Sequence, residues 1–287
     1  MIEFFADVFG YVLNFIYDIV KNYGLAIILF SVLLKIIMLP LSIKQQKTMK
    51  KSMKVQAQVR DIQEKYKGNQ EKINQEVLDL YKRENMSPFS GCLSAIVQII
   101  LLLAIFYLVR SPLTHMLKIE PQLIENYENE VKSELPENDK NLSYPEIAVI
   151  KQAAEKLETN DFPEEKREDY EKLAINMNFL GLDLSNVPIQ DISNPTVYII
   201  PVLYVISSFI SIRISSNMNK NKAEENSNPE MDAIANANKS MMWFMPIMSI
   251  SIAIIAPLGL ALYWLVNNLL MIIERLIMNV FLNKEEN

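Results

Sequence analysis

The sequence is poor in the residues on which most enzymatic chemistry depends. A single cysteine, Cys92, excludes an internal disulfide and any multi-cysteine metal centre. A single histidine, His115, leaves no histidine cluster, so neither metal chemistry nor a resident cofactor is expected. Only six glycines are present, and none stands in a phosphate-binding loop; HExxH and GxSxG patterns are missing as well. Basic residues are too few, at a net charge of −6, to suggest specific recognition of nucleic acid. Ahead of the first apolar segment there is no basic stretch, since Met1 is followed by Glu3 and Asp7, and no small-residue cleavage site comes after it. That segment is therefore expected to be retained.

What the chain has is apolar residues in blocks. Half of its residues are hydrophobic while 22% are charged, and the two kinds are segregated. Residues 1–22 carry Phe4, Val8, Val12 and Phe15 at helical spacing among Glu3, Asp7 and Asp18. This reads as an amphipathic helix lying in the outer membrane interface. A first membrane helix is expected over 23–41 and a second over 91–110. A third falls at 194–215, and a fourth and fifth share 240–282, separated only by Pro257. The fold class is thus all-α and polytopic, with five transmembrane helices.

The polar segments between the spans differ in charge. Block 42–90 holds eleven lysines and arginines against six acids, a balance of +5. Block 111–190 holds eight against seventeen, a balance of −9. By the positive-inside rule the first is cytosolic and the acidic loop 111–193 is outside. The N-terminus is then outside, and both the loop 216–239 and the tail 283–287 are in the cytosol. Within 42–90, the stripes Val55-Val59-Ile62-Tyr66 and Ile73-Val77-Leu80 flank Lys67-Gly68-Asn69. They predict two antiparallel helices. In the acidic loop short helices are expected around 144–158 and 163–176.

Lys35 is the most informative residue. It stands inside an apolar helix, about 7.5 Å along the axis from Pro40. A cation there costs up to about 3 kcal/mol unless it snorkels to the interface or faces a polar cavity. From position alone both readings stand. The other spans carry polar stripes: Ser90, Ser94 and Gln98 on the second, and Tyr204, Ser208, Ser211 and Ser215 on the third. On the fifth, Asn267 and Glu274 share one face, and Asn268 and Arg275 share another. A lone serine in a membrane helix usually marks helix packing. Together the stripes suggest a water-accessible cavity that opens toward the cytosol and stops partway.

Four stretches resemble the YidC/Oxa/Alb family of membrane protein insertases, in particular its short Gram-positive form: YGLAIILFSVLLKIIMLPLSIKQQKTMKKS, QAQVRDIQEKYKGNQEKINQEVLDLYKREN, SPFSGCLSAIVQI and PLGLALYWLVNNLLMIIERL. The resemblance runs from about Tyr23 to Met278 and is weakest across 111–190. It implies a chaperone-like insertase of the bacterial cell membrane, without covalent chemistry. Such a protein moves hydrophobic segments of nascent membrane proteins from cytosol to bilayer through a hydrophilic groove open to cytosol and lipid. The implied groove residues are Lys35, Ser31, Ser94, Gln98, Ser208, Ser211, Trp264, Asn267 and Glu274. The hairpin, with Met49, Met53, Ile62 and Tyr66, would receive the substrate; a solvated helix pair attracted to anionic lipid headgroups is the competing reading. The Sec translocon and the ribosome are implied as partners, alongside membrane lipids. Several positions depart from the family pattern. Lys35 stands for the usual arginine, Ser87 for asparagine, and Ser94 and Ile100 for prolines. Glu274 stands for glutamine, and Ile212 lies where glutamine is common. Two other classes stay open: an assembly partner of the secretion channel, and a small transporter or channel.

Overall fold

The computed structural model describes residues 2–85, 90–136, 142–220 and 251–284. Its chain divides into two compact units, residues 36–103 and the remainder.

The larger unit begins with α1 (Ile2–Val20). Ala6, Gly10 and Leu13 form its packed face, while Phe4, Val8, Tyr11, Phe15 and Ile19 are exposed on the opposite side. The predicted stripe is therefore the outward face, with Val12 half-buried at its edge. Contact with the rest of the unit is close: a Cβ added at Gly10 would lie 1.8 Å from the carbonyl oxygen of His115. Only glycine lets the two backbones approach this far. Asp7 on the same helix accepts from Nδ1 of His115 at 2.9 Å and from the ammonium of Lys118. Lys118 first, and then His115, hold the Asp7 carboxyl below its ordinary range.

Helix α2 runs unbroken from Tyr23 to Lys65. The sequence suggests a membrane helix closing at Pro40 followed by a separate cytosolic helix, but the helix passes through Pro40. Proline removes one main-chain donor, and surrounding structure can tolerate that loss inside a long helix. A span of 26 residues, Tyr23–Thr48, is apolar enough to cross a bilayer, as are Pro195–Ile214 and Leu258–Met278. Three candidate spans thus lie among the described residues. Helix α4 (Ser90–Arg110) contributes a shorter apolar stretch, Ile99–Arg110. The predicted fourth span falls mostly outside the described residues, as does most of the loop 216–239; helix is described from 251 to 255.

The acidic segment is a folded cap rather than a loop. It comprises α5 (Pro112–His115), α6 (Pro121–Glu134), α7 (Pro145–Thr159), α8 (Arg167–Leu173) and a two-residue hairpin, β1 (Asn178–Phe179) with β2 (Leu182–Asp183). Helices α7 and α8 fall where they are predicted; α6 is an addition. Ile124, Tyr127, Val131, Ile150, Tyr170 and Leu173 are buried among the cap helices. The rings of Tyr127 and Tyr170 meet edge-on at 5.3 Å. Tyr127 donates to Asp169 at 3.0 Å and Tyr170 to Glu130 at 2.9 Å. Burial first, then these carboxylates, push both phenols well up.

Helix α9 (Ile199–Lys220) packs along α10 (Leu258–Lys284). The first donors of a helix have no partner within it. At α10 the cap supplies them: Leu258 N–H donates to the carbonyl of Asn186 at 2.9 Å, and Gly259 N–H to that of Leu184 at 3.0 Å. Ile189 N–H in turn donates to the carbonyl of Ile254 at 3.1 Å. The tight turn at Pro257 is clamped from both sides.

In the smaller unit, the end of α2 turns at Gly68 (φ 92°) into α3 (Gln70–Arg83), capped by Asn69, which accepts from Lys72 N–H at 3.1 Å. Val55, Ile73 and Leu80 are buried along the two predicted stripes. Lys51 and Glu84 pair at 3.8 Å.

Candidate functional site

The helices of the larger unit are amphipathic in the sense opposite to that of a water-soluble protein. On α9, Ile199, Val202, Leu203, Ile206, Phe209 and Ile210 are exposed, while Ser207, Ser208 and Ser211 are buried. On α10, Leu269, Ile273, Leu276 and Ile277 face out and Asn268 and Glu274 face in. Apolar residues outside and hydrogen-bonding residues inside are what a hydrocarbon solvent selects, because an unpaired polar group there costs several kcal/mol.

Two polar clusters occupy that interior. In the first, the Asn268 amide donates to the hydroxyls of Ser207 at 2.9 Å and Ser208 at 3.2 Å. Two turns further along α10, Arg275 donates to the Ser211 hydroxyl at 3.2 Å. The serine stripe of α9 is thus fastened to α10. Ser208 and Ser211 each have a partner there, and Asn268 and Arg275, one face of α10 in the sequence, are the residues that supply it.

The second cluster is an ion pair. Lys35 Nζ lies 2.5 Å from Glu274 Oε2, with side-chain exposures of 21% and 7%. Helical geometry places Glu274 about 100° around α10 from Arg275, so the two neighbours face different partners. The Lys35 ammonium is held by a carboxylate inside the protein, which replaces the snorkelling arrangement with a paired one. Ser31, one turn before Lys35, is buried and donates to the Ile27 carbonyl at 2.7 Å, satisfied by its own helix. Trp264 is buried, its ring 6.0 Å from that of Tyr204. Asn267 is half-buried. The structure therefore joins Lys35 with Glu274, and Ser208 and Ser211 with Asn268 and Arg275. Ser94, Gln98, Met49 and Met53 lie outside the described side chains.

Ile62 and Tyr66 on the hairpin line a cleft of about 460 Å³ together with Asp61, Lys65, Glu76 and Arg83. Tyr66 reaches Glu76 at 3.5 Å, and the Lys72 ammonium lies 4.9 Å from its ring centroid. This surface is mostly charged.

A helical protein with lipid-facing apolar spans, a folded polar cap and a charge pair within the spans is an integral membrane protein. Residues 15–285 match the 60Kd inner membrane protein family, and the chain belongs to it. Family and spans together place the protein in a bacterial membrane. The membrane protein insertases YidC of Francisella tularensis subsp. novicida (strain U112) and subsp. holarctica (strain LVS) are each 36% identical to it over 109 residues, 38% of this chain and 20% of theirs. The insertase YidC of subsp. tularensis (strain SCHU S4) is similar to the same degree. The match thus spans about one fifth of the length of these relatives.

Proposed function

We propose that the chain is a membrane protein insertase that carries hydrophobic segments of nascent proteins into the bilayer without covalent chemistry. The observation that carries this reading is the Lys35–Glu274 pair, set among spans whose outer faces are apolar. A charged pair inside a span is costly and marks a functional site by default. It fits a protein that brings the polar flank of a substrate partway into the membrane. Family membership and the likeness to named insertases support the same reading.

The working arrangement is a hydrophilic groove open to cytosol and lipid. Lys35 and Glu274 stand on its wall, with Ser31, Trp264 and Asn267 on the same two helices, and Ser208 and Ser211 bracing α9 against α10. The hairpin residues Met49, Met53, Ile62 and Tyr66 receive the nascent chain. In the proposed topology five spans leave the N-terminus and the cap outside and the C-terminus in the cytosol; the charge balance of +5 in block 42–90 against −9 in block 111–190 supports it. The ribosome and the Sec translocon are the proposed partners, alongside membrane lipids. The test is insertion of a single-span substrate into liposomes containing only this protein, read as a protease-protected fragment. No more fragment than in empty liposomes would refute autonomous insertion and leave the role of assembly partner.

A further inference from the structure

Glu274 has one oxygen engaged and one not. Oε2 pairs with Lys35, whereas Oε1 is buried and has no hydrogen-bond partner among the described residues. Neighbouring polar groups are committed elsewhere. Asn268 is bonded to Ser207 and Ser208, Arg275 to Ser211, and Ser31 to the carbonyl of Ile27. A pair retained only for stability would be expected to satisfy both carboxylate oxygens, since burying an ion is repaid only when its remaining hydrogen bonds are made. The exposures are also unequal, 21% for Lys35 and 7% for Glu274. The cation is the approachable member and the anion is walled in behind it.

We propose that Glu274 is an internal competitor for Lys35. In the resting protein it occupies the place a carboxylate of an incoming segment would take, and so sets how strongly the groove favours acidic over neutral tails. This rests on the insertase reading above. A substrate acid reaching Lys35 must displace Glu274 and leave a buried carboxylate without its cation. A neutral tail makes no such exchange. The charge at 274 is thus a specificity determinant acting through Lys35, a positioning role rather than a contact with substrate.

The experiment compares three single-span substrates, identical but for an acidic, neutral or basic translocated tail, in liposomes holding equal amounts of each variant. Glu274→Gln keeps the length of the side chain and an acceptor for Lys35 but removes the competing charge. The ratio of acid-tail to neutral-tail insertion should rise at least about fivefold, the lower end of ordinary coupling between two ligands of one site. The charge exchange Lys35→Glu with Glu274→Lys keeps a pair while making the approachable member an anion, so the tail preference should turn from acidic to basic. A purely structural pair would move neither ratio. Unchanged ratios in both variants would overturn the competitor role alone. Absence of insertion by the unaltered protein would overturn the insertase reading and this inference with it.

Discussion

Glu146 takes two hydrogen bonds from one residue: the backbone N–H of Thr114 at 3.0 Å and the Thr114 hydroxyl at 2.6 Å. These bonds tie the first turn of α7 to α5, at a carboxylate with only 5% of its surface exposed.

Burial raises the Glu146 pKa, and the Thr114 bonds only partly oppose it. A carboxyl raised in the folded state contributes stability below its ordinary value, 4.5, and loses that contribution as pH rises toward the folded value. Thermal unfolding in detergent should therefore show the cap losing stability from about pH 4.5 upward. Glu146→Gln can accept from Thr114 N–H and donate to its hydroxyl without a charge, so it should abolish that slope. A slope identical in the variant would assign it to other groups.

Lys35→Ala leaves Glu274 buried without a cation, a loss of about 3–5 kcal/mol where one partner of a buried pair is removed. Removing both partners with Lys35→Ala and Glu274→Ala should recover most of it. Unfolding in mixed micelles would measure this, and it bears on any insertion defect of Lys35→Ala, because a weakened fold and a lost groove charge would look alike in activity. Equal stability of Lys35→Ala and the double variant would mean that the loss does not come from an uncompensated carboxylate at Glu274.

Asn268→Ala removes two bonds to α9. Interhelical hydrogen bonds in membranes average about 0.6 kcal/mol with a maximum near 1.7, so a loss of about 0.5–2 kcal/mol is expected in the same assay. Asn268→Asp, which cannot donate to both serines, should cost at least as much. A neutral effect of either would mean that the serine stripe packs without its bonds.

Gly10→Ala places a methyl 1.8 Å from the His115 carbonyl oxygen, a clash only a shift of α1 can relieve. Overpacking of this kind costs about 1–3 kcal/mol, and protease cleavage within the first twenty residues should quicken. Unaltered cleavage would mean that α1 is held chiefly by Asp7 and its two partners, His115 and Lys118.

Orientation is open to direct labelling. In a Cys92→Ser background, Glu158→Cys on the exposed side of α7 should react from outside intact cells, and Glu71→Cys on α3 only after lysis. The reverse pattern would invert the proposed topology.

Much of this molecule could be read from periodicity. The stripes of the hairpin, the apolar spans and the cap helices α7 and α8 all announce themselves within a few turns of sequence. Helix α6 had a signal too: Ile124, Tyr127 and Val131 recur at i, i+3 and i+7, but nine polar residues among its fourteen and an overall acidic setting obscured it. The unbroken passage through Pro40 is harder to foresee, because proline's local preference opposes it and only the surrounding structure decides. The partners of the buried polar groups were out of reach for a different reason. Asn268 and Ser207 are 61 positions apart, and Lys35 and Glu274 are further still; periodicity reports which face a residue occupies, not what stands opposite. The family resemblance implied that Glu274 stands where glutamine is usual; the fold alone shows that Glu274 pairs with Lys35.

The clamp at Pro257 makes α10 a lever with a fixed fulcrum. Two main-chain bonds hold its start to the cap and a third holds Ile254 just ahead of the turn, and Glu274 stands sixteen residues beyond Leu258, about 24 Å along the axis. A tilt of about 5° at the anchor carries that position through roughly 2 Å by the same geometry. Small motions near the cap are thus enlarged at the charged end, where a displacement of that size separates an ion pair.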